Sequence, residues 1–388
     1  MNELVTIVIA AYNRPLSLKR LLDSLNNAIY KNQKVNLVIS IDFSGDNKVL
    51  QLADSFEWNF GEKTVIDHQE NMGLKKHILY CGDLTQNLGN IILLEDDLYV
   101  SPYFLDYSNE AISYFNNDSK IAGISLYNHV YNETSKLPFS AAKLDSHDNY
   151  FMQLPSSWGQ IWTINQWKAF KKWFNDTDGN YNFNILPDNI KKWPESSWKK
   201  LFSLYMLEKN RFFVYPFNSL STNFGDSGVN FWKNNNQYQA PLLYSELKYS
   251  FSSLEDSFSI YDSYCENVSI EKKLEEKNIC IDIYGSKFPH YMNYDYVLTT
   301  KKLNLEIISS YGLNLKPLET NIFQSIKGED IKLYRNSSGK INNQSSKIKD
   351  RVKLMNYYYP GLNLQKIMTY LSAGEVYIDL IKKIMKKI

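Results

Sequence analysis

The chain has 388 residues, of which 44% are hydrophobic, with a formal net charge of +1. That is enough for one large domain or two ordinary ones with a full core, and the near-neutral charge excludes a broad electrostatic grip on nucleic acid. Cys81, Cys265 and Cys280 are the only cysteines; they are odd in number and far apart, which excludes a disulfide framework or zinc cluster and fits a reducing compartment.

Residues 4–12, LVTIVIAAY, form a short apolar run that reads as a buried strand rather than a secretory leader. RPLSLKRLLDSLNNA follows, with Leu18, Leu21, Leu22 and Leu25 at helical spacing and Pro15 and Ser17 suiting a helix start. A second strand is expected in VNLVISIDFSGD (35–46), ending at Asp42, and a short third in KTVIDHQENMG (63–73). LKKHILYCGDLT reads as a helix, NIILLEDDLYVS as the next strand and PYFLDYSNEAISYF as the next helix. This alternation through residue 117 predicts an α/β fold, a mostly parallel sheet flanked by helices. In such sheets ligands collect at the carboxyl ends of the strands.

From 118 to 245 the pattern is mixed and rich in aromatics, with SWKKLFSLYMLEKN reading as a helix and RFFVYPF as a strand. Residues 246–334 carry a further short α/β-like pattern, 335–349 read as a polar linker, and 350–388 as a helical tail. In that tail Val376, Leu380, Ile381, Ile384 and Ile388 fall on one face, with Lys382, Lys383, Lys386 and Lys387 away from it. A basic amphipathic helix suits an anionic membrane surface, and it equally suits packing on the protein body. No run reaches the roughly 18 apolar residues of a membrane span.

IILLEDDLYVS places Glu95, Asp96 and Asp97 at the end of an apolar strand. Adjacent carboxylates repel one another and cost desolvation energy. They suit Mn2+ or Mg2+, which prefers oxygen ligands and shares them with substrate phosphates. Alone the triplet is a weak signal, since a solvated strand end reads the same way.

The order AAYNRP, then Asp42, then EDDLYVSPYF resembles glycosyltransferases of the GT-A fold. The resemblance is closer to bacterial enzymes related to the animal N-acetylglucosaminyltransferase I. It extends through SSWGQIWTINQW, PESSWKKLF and RFFVYP, and covers roughly residues 4–232. The resemblance implies a GT-A catalytic domain over 1–245 that moves a sugar from a nucleotide diphosphate donor, UDP-linked, to a hydroxyl of a glycan or lipid-linked glycan, with inversion. Bacterial surface polysaccharide such as capsule would be the product, and the cytoplasm, at the inner face of the membrane, the location.

Carried over by position, the resemblance puts Tyr12, Arg14, Asp42, Lys75, Glu95 and Asp96 at the nucleotide and Asp97 on the metal. Trp158 and Trp198 are the aromatics expected beside the sugar or acceptor. The family's general base falls at Ser196 here, so Glu195 is the expected catalytic carboxylate and Asp188 a weaker substitute. Asn230 stands where related sequences carry a histidine, and Gly225 and Gly228 suit a loop that closes over the diphosphate. Two other readings stay open: a sugar nucleotidyltransferase, which AAYNRP disfavours by lacking a Gly-rich loop, and a carbohydrate-binding protein on a decayed transferase fold, which Ser196 and Asn230 favour.

Overall fold

The computed structural model describes residues 5–226, 236–288, 290–336, 341 and 347–361. The chain divides into two compact units, Met1–Lys277 and Asn278–Ile388.

The first unit opens with β1 (Val5–Ala11), α1 (Pro15–Asn26), β2 (Asn36–Ile41), α2 (Lys48–Ser55), β3 (Lys63–Asp67), α3 (Gly73–Asp83), α4 (Thr85–Leu88), β4 (Asn90–Glu95), β5 (Leu98–Val100) and α5 (Phe104–Phe115). It continues with β6 (Ile121–Ser125), β7 (Tyr131–Asn132), β8 (Leu137–Pro138), β9 (Asn149–Met152), β10 (Gln160–Trp162), α6 (Ile164–Thr177), α7 (Asp188–Lys191), α8 (Trp198–Glu208), β11 (Phe212–Pro216), β12 (Ser221–Asn223), β13 (Ile260–Tyr261) and α9 (Ile270–Leu274). The main sheet runs β13-β9-β11-β6-β10-β4-β1-β2-β3. Its β4-β1-β2-β3 side is parallel, as the strand–helix alternation predicts. Beyond β4 it becomes mixed, because β10 runs antiparallel to both β4 and β6.

β1 is buried along its whole length because it is covered on both faces. Ile7 and Ile9 join Ile92 and Leu94 of β4 in a core with Leu18, Leu21, Leu22 and Leu25 of α1, Val49 of α2 and Phe104 and Phe115 of α5. On β4 the alternate residues Ile91 and Leu93 lie opposite Trp162 and Gln160 of β10. Trp162 there meets Trp167 of α6 and Phe202 of α8. α6 starts at a capping box in which Thr163 and Gln166 satisfy each other's backbone amides.

The sequence reading ended the catalytic domain at 245. The first unit runs on to Lys277, because β13 adds a strand to the main sheet beside β9. A two-residue strand has too little pattern to be legible in sequence.

The second unit contains β14 (Ile279–Asp282), β15 (Tyr296–Thr299), β16 (Glu306–Tyr311), α10 (Thr320–Phe323), β17 (Ile331–Arg335) and α11 (Lys347–Tyr358). Its sheet has the order β14-β15-β17-β16. α11 takes in the last residues of the expected 335–349 linker and the first of the tail. The tail's apolar stripe at 376–388 lies outside the described residues. Among the described residues no helix is long and apolar enough to cross a membrane.

Candidate active site

The parallel register brings three strand ends together. Ala10 lies beside Glu95, and Ala11 beside Ile41, one residue before Asp42. β4 ends at Glu95 and the chain turns through Asp96 and Asp97 before β5. The Tyr12 amide donates to Asp96 Oδ2 at 3.3 Å. Arg14, just ahead of α1, spans both aspartates: Nη1 donates to Asp97 Oδ2 at 2.9 Å and Nη2 to Asp96 Oδ1. Burial works against the Arg14 charge, but Asp96 and Asp97 more than offset it and hold its pKa above the ordinary arginine value.

The three acids are not equivalent. Burial pushes Asp96 up to about 6, with Arg14 restraining the rise. Burial, and then repulsion from Asp97, pushes Glu95 up to about 8. Asp97 Oδ1 is buried without a hydrogen-bond partner. An unmet carboxylate oxygen of this kind costs about 1–3 kcal/mol or more, and a cation or donor placed against it recovers that.

A divalent cation fits here in a limited way. Mg2+ is commonly held by one or two carboxylates plus substrate phosphates, and Asp97 Oδ1 offers one such ligand. Among the described residues no group of three or more His, Cys, Asp or Glu is placed to hold a metal by itself.

Asp42 differs from Asp97. It is 3% exposed. Its Oδ1 accepts from the amides of Phe43 at 3.0 Å and Met72 at 2.7 Å, and its Oδ2 from Gly73 at 3.0 Å. Gly73 has φ +73°, which glycine adopts without penalty. Asp42 thus ties the end of β2 to the start of α3. Beneath it, Ser40 Oγ lies 3.0 Å from His68 Nε2 and 2.8 Å from His77 Nε2. Burial holds His77 down at about 4. Sequence reading missed this trio, since the three residues are scattered over 38 positions.

Lys75 and Glu195 come together through the backbone: Lys75 Nζ donates to the Glu195 carbonyl at 2.9 Å. Glu195 and Ser196 are exposed just before α8. Ser197 caps that helix by accepting from the Lys200 amide. Asp188, the weaker candidate, is bound to Lys191 in an exposed pair.

The two tryptophans part company. Trp198 is 3% exposed and packs edge-on against Trp162 and Phe202. The expectation that it meets a sugar is therefore corrected: its ring is core, set there by the first turn of α8. Trp158 is half-buried, with Tyr238 at 4.9 Å between ring centroids and Lys199 Nζ 5.2 Å from its ring. Its carbonyl accepts from Ser221 Oγ at 2.5 Å. The adjoining Gly159, at φ +87°, leaves no room for a Cβ, which would meet Ser221 Oγ at 2.9 Å.

Residues 221–226 lie beside the acid turn. β12 pairs with β5, and the Phe224 amide donates to the Asp97 carbonyl at 3.0 Å. Arg20 of α1 sits 3.6 Å from the Phe224 ring centroid. Asp226 accepts from Ser17 Oγ at 2.6 Å and from Arg20. Burial raises the Asp226 pKa, but these bonds outweigh it and keep the carboxyl below its usual value. Nothing in the sequence pairs α1 with Asp226 about two hundred positions on. Gly225 has the positive φ expected of a loop glycine; Gly228 and Asn230 lie outside the described residues.

Residues 6–163 match the family model for glycosyl transferase family 2. This span is similar to the glycosyltransferase domains of that family. The mostly parallel sheet flanked by helices, with acids at the carboxyl ends of its parallel strands, matches the GT-A fold. No curated protein matches the chain significantly. Solved structures similar to it include S. aureus TarS 1-349 in complex with UDP-GlcNAc, at 16% identity and TM-score 0.40, covering 58% of this chain and 59% of that one. The mannosyltransferase PcManGT from Pyrobaculum calidifontis, in complex with GDP-Man and Mn2+, is similar at 15% identity and TM-score 0.30, covering 44% and 46%. The chain thus spans less than two thirds of either solved chain.

Proposed function

We propose that the chain transfers a sugar from a nucleotide diphosphate donor, taken as UDP-linked, to a hydroxyl of a glycan acceptor, with inversion at the anomeric carbon. A bacterial surface polysaccharide such as capsule is the proposed product, and the relation to the N-acetylglucosaminyltransferase I type belongs to this reading. The observation that carries it is the acid turn after β4, where Arg14 fixes Asp96 and Asp97 and leaves Asp97 Oδ1 buried without a partner.

Tyr12, Arg14, Asp42, Lys75, Glu95 and Asp96 surround the nucleotide in this reading. Glu95 can accept from a ribose hydroxyl. Asp42 serves mainly by shaping the loop at 72–73. Asp97 Oδ1 would hold Mn2+ or Mg2+; such an ion neutralises charge building on the diphosphate as the glycosidic bond breaks. Glu195, exposed ahead of α8, takes the proton from the acceptor hydroxyl as that oxygen attacks. Lys75 sets the height of the Glu195 backbone. Trp158 is the aromatic placed near the sugar. Positioning and electrostatics supply most of the acceleration.

The test is donor hydrolysis across a panel of nucleotide sugars with Mn2+, comparing wild type with Asp97→Ala and Glu195→Gln. Metal-dependent hydrolysis of one donor, lost in Asp97→Ala, supports transfer and names the sugar. Loss in Glu195→Gln as well supports the base assignment. Absence of both hydrolysis and metal-dependent nucleotide binding would favour the non-catalytic carbohydrate-binding reading.

A further inference from the structure

The cations around the site are occupied to different degrees. Arg14 is paired with Asp96 and Asp97, and Arg20 with Asp226. Lys75 donates to a backbone carbonyl, and the buried Lys200 to those of Lys191 and Trp193. Lys199 is different. Its Nζ lies 5.2 Å from the Trp158 ring centroid and 5.1 Å from that of Trp193, and no carboxylate or carbonyl among the described residues pairs with it. Two indole faces fix the direction of an ammonium without cancelling its charge. Trp158 ties this cation to the acid turn: its carbonyl accepts from Ser221 Oγ of β12, the strand paired with β5 just after Asp97.

We propose that Lys199 is a cationic contact for the diphosphate of the donor, held ready between Trp158 and Trp193. This rests on the nucleotide-donor reading above. When the bond from the anomeric carbon to the β-phosphate oxygen breaks, its electron pair stays on the diphosphate, while the acceptor oxygen bonds to that carbon and its proton passes to the base. The negative charge gained by the leaving group is what Lys199 meets in this proposal. An ammonium already aimed by two rings loses little freedom on meeting a phosphate oxygen, which is the condition for efficient electrostatic stabilisation. The two indoles also exclude water from one side of the contact, which strengthens it.

The test is calorimetric titration of UDP and of uridine into the full chain with Mg2+ fixed, for wild type, Lys199→Ala and Lys199→Arg, with thermal melting of each variant alongside. Expected is a loss of about tenfold to a hundredfold in UDP affinity for Lys199→Ala, the usual range for a hydrogen bond to a charged group. Uridine affinity should stay unchanged, and Lys199→Arg should retain most of the UDP affinity. Equal binding of UDP by wild type and Lys199→Ala overturns the proposal while leaving the nucleotide-donor reading standing. A parallel loss of UDP and uridine in Lys199→Ala also overturns it, since that marks a structural role. If wild type binds neither nucleotide, the UDP-linked donor reading fails and takes this proposal with it.

Discussion

The carboxyl ends of β2 and β4 look alike in sequence: each is an apolar strand that runs into an aspartate. In the folded chain they do opposite things. Asp42 gives its oxygens to the amides of Phe43, Met72 and Gly73 and is almost wholly enclosed. Asp97 takes a single bond from Arg14 on Oδ2 and leaves Oδ1 unmet. An acid at a strand end is thus a structural tie when backbone amides converge on it. Where they do not, it keeps an oxygen open to a ligand. Periodicity can place the acid but cannot count the amides.

The sharpest way to break the comparison is to delete each acid. Asp97→Ala should lower metal-dependent donor turnover at least about a hundredfold, the scale of losing one electrostatic contact to developing charge, with an unchanged melting temperature. Turnover within a fewfold of wild type would remove Asp97 from the site. Asp42→Ala should instead destabilise the fold by about 2–4 kcal/mol in denaturant unfolding, because buried amides lose a charged acceptor. A stable Asp42→Ala that fails only in nucleotide binding would show that the two strand ends share one role.

A smaller effect sharpens the β2 end. His77 is held neutral by burial, so the folded chain binds fewer protons than the unfolded chain between the ordinary histidine value and about 4. Stability contributed by its neutral form is therefore present above that window and lost as pH falls through it. The loss should reach about 2 kcal/mol at pH 5. His77→Gln should flatten the pH dependence of the melting temperature over pH 5–7 by that amount, and an unchanged slope would place the titration elsewhere.

The smallest effect lies beside the β4 end. Asp226→Ala frees Ser17 and Arg20 and should cost about 1 kcal/mol in stability. It leaves the Arg14 bonds to Asp96 and Asp97 in place, so nucleotide affinity should fall far less than in Asp97→Ala. A loss as large as that of Asp97→Ala would make Asp226 part of the site.

How much was legible in the sequence follows the same division. β1, β2 and β4 were readable because each is a buried apolar run, and α1 because of its full stripe of Leu18, Leu21, Leu22 and Leu25, whereas the short α2 was not read as a helix. β9 and β13 were not, because Asn149–Met152 and Ile260–Tyr261 are too short for a period to register. The acid turn was readable from its composition and from the family resemblance. Trp198 was misread because a tryptophan at a helix start looks the same whether it faces solvent or Trp162. Lys199 was passed over because a Lys–Lys pair at a helix start ordinarily reads as solvated, and only the fold brings Trp158 and Trp193 to its two sides.

Ser40 has a single hydroxyl proton to give, yet it stands between the Nε2 atoms of two imidazoles. Whichever ring accepts that proton, the other must present its own N–H to the same oxygen for both bonds to hold. His77, neutral at ordinary pH, and His68 are thereby coupled: the tautomer of one dictates that of the other. A single nitrogen chemical shift measured on either ring would report both, and the direction of the hydroxyl between them.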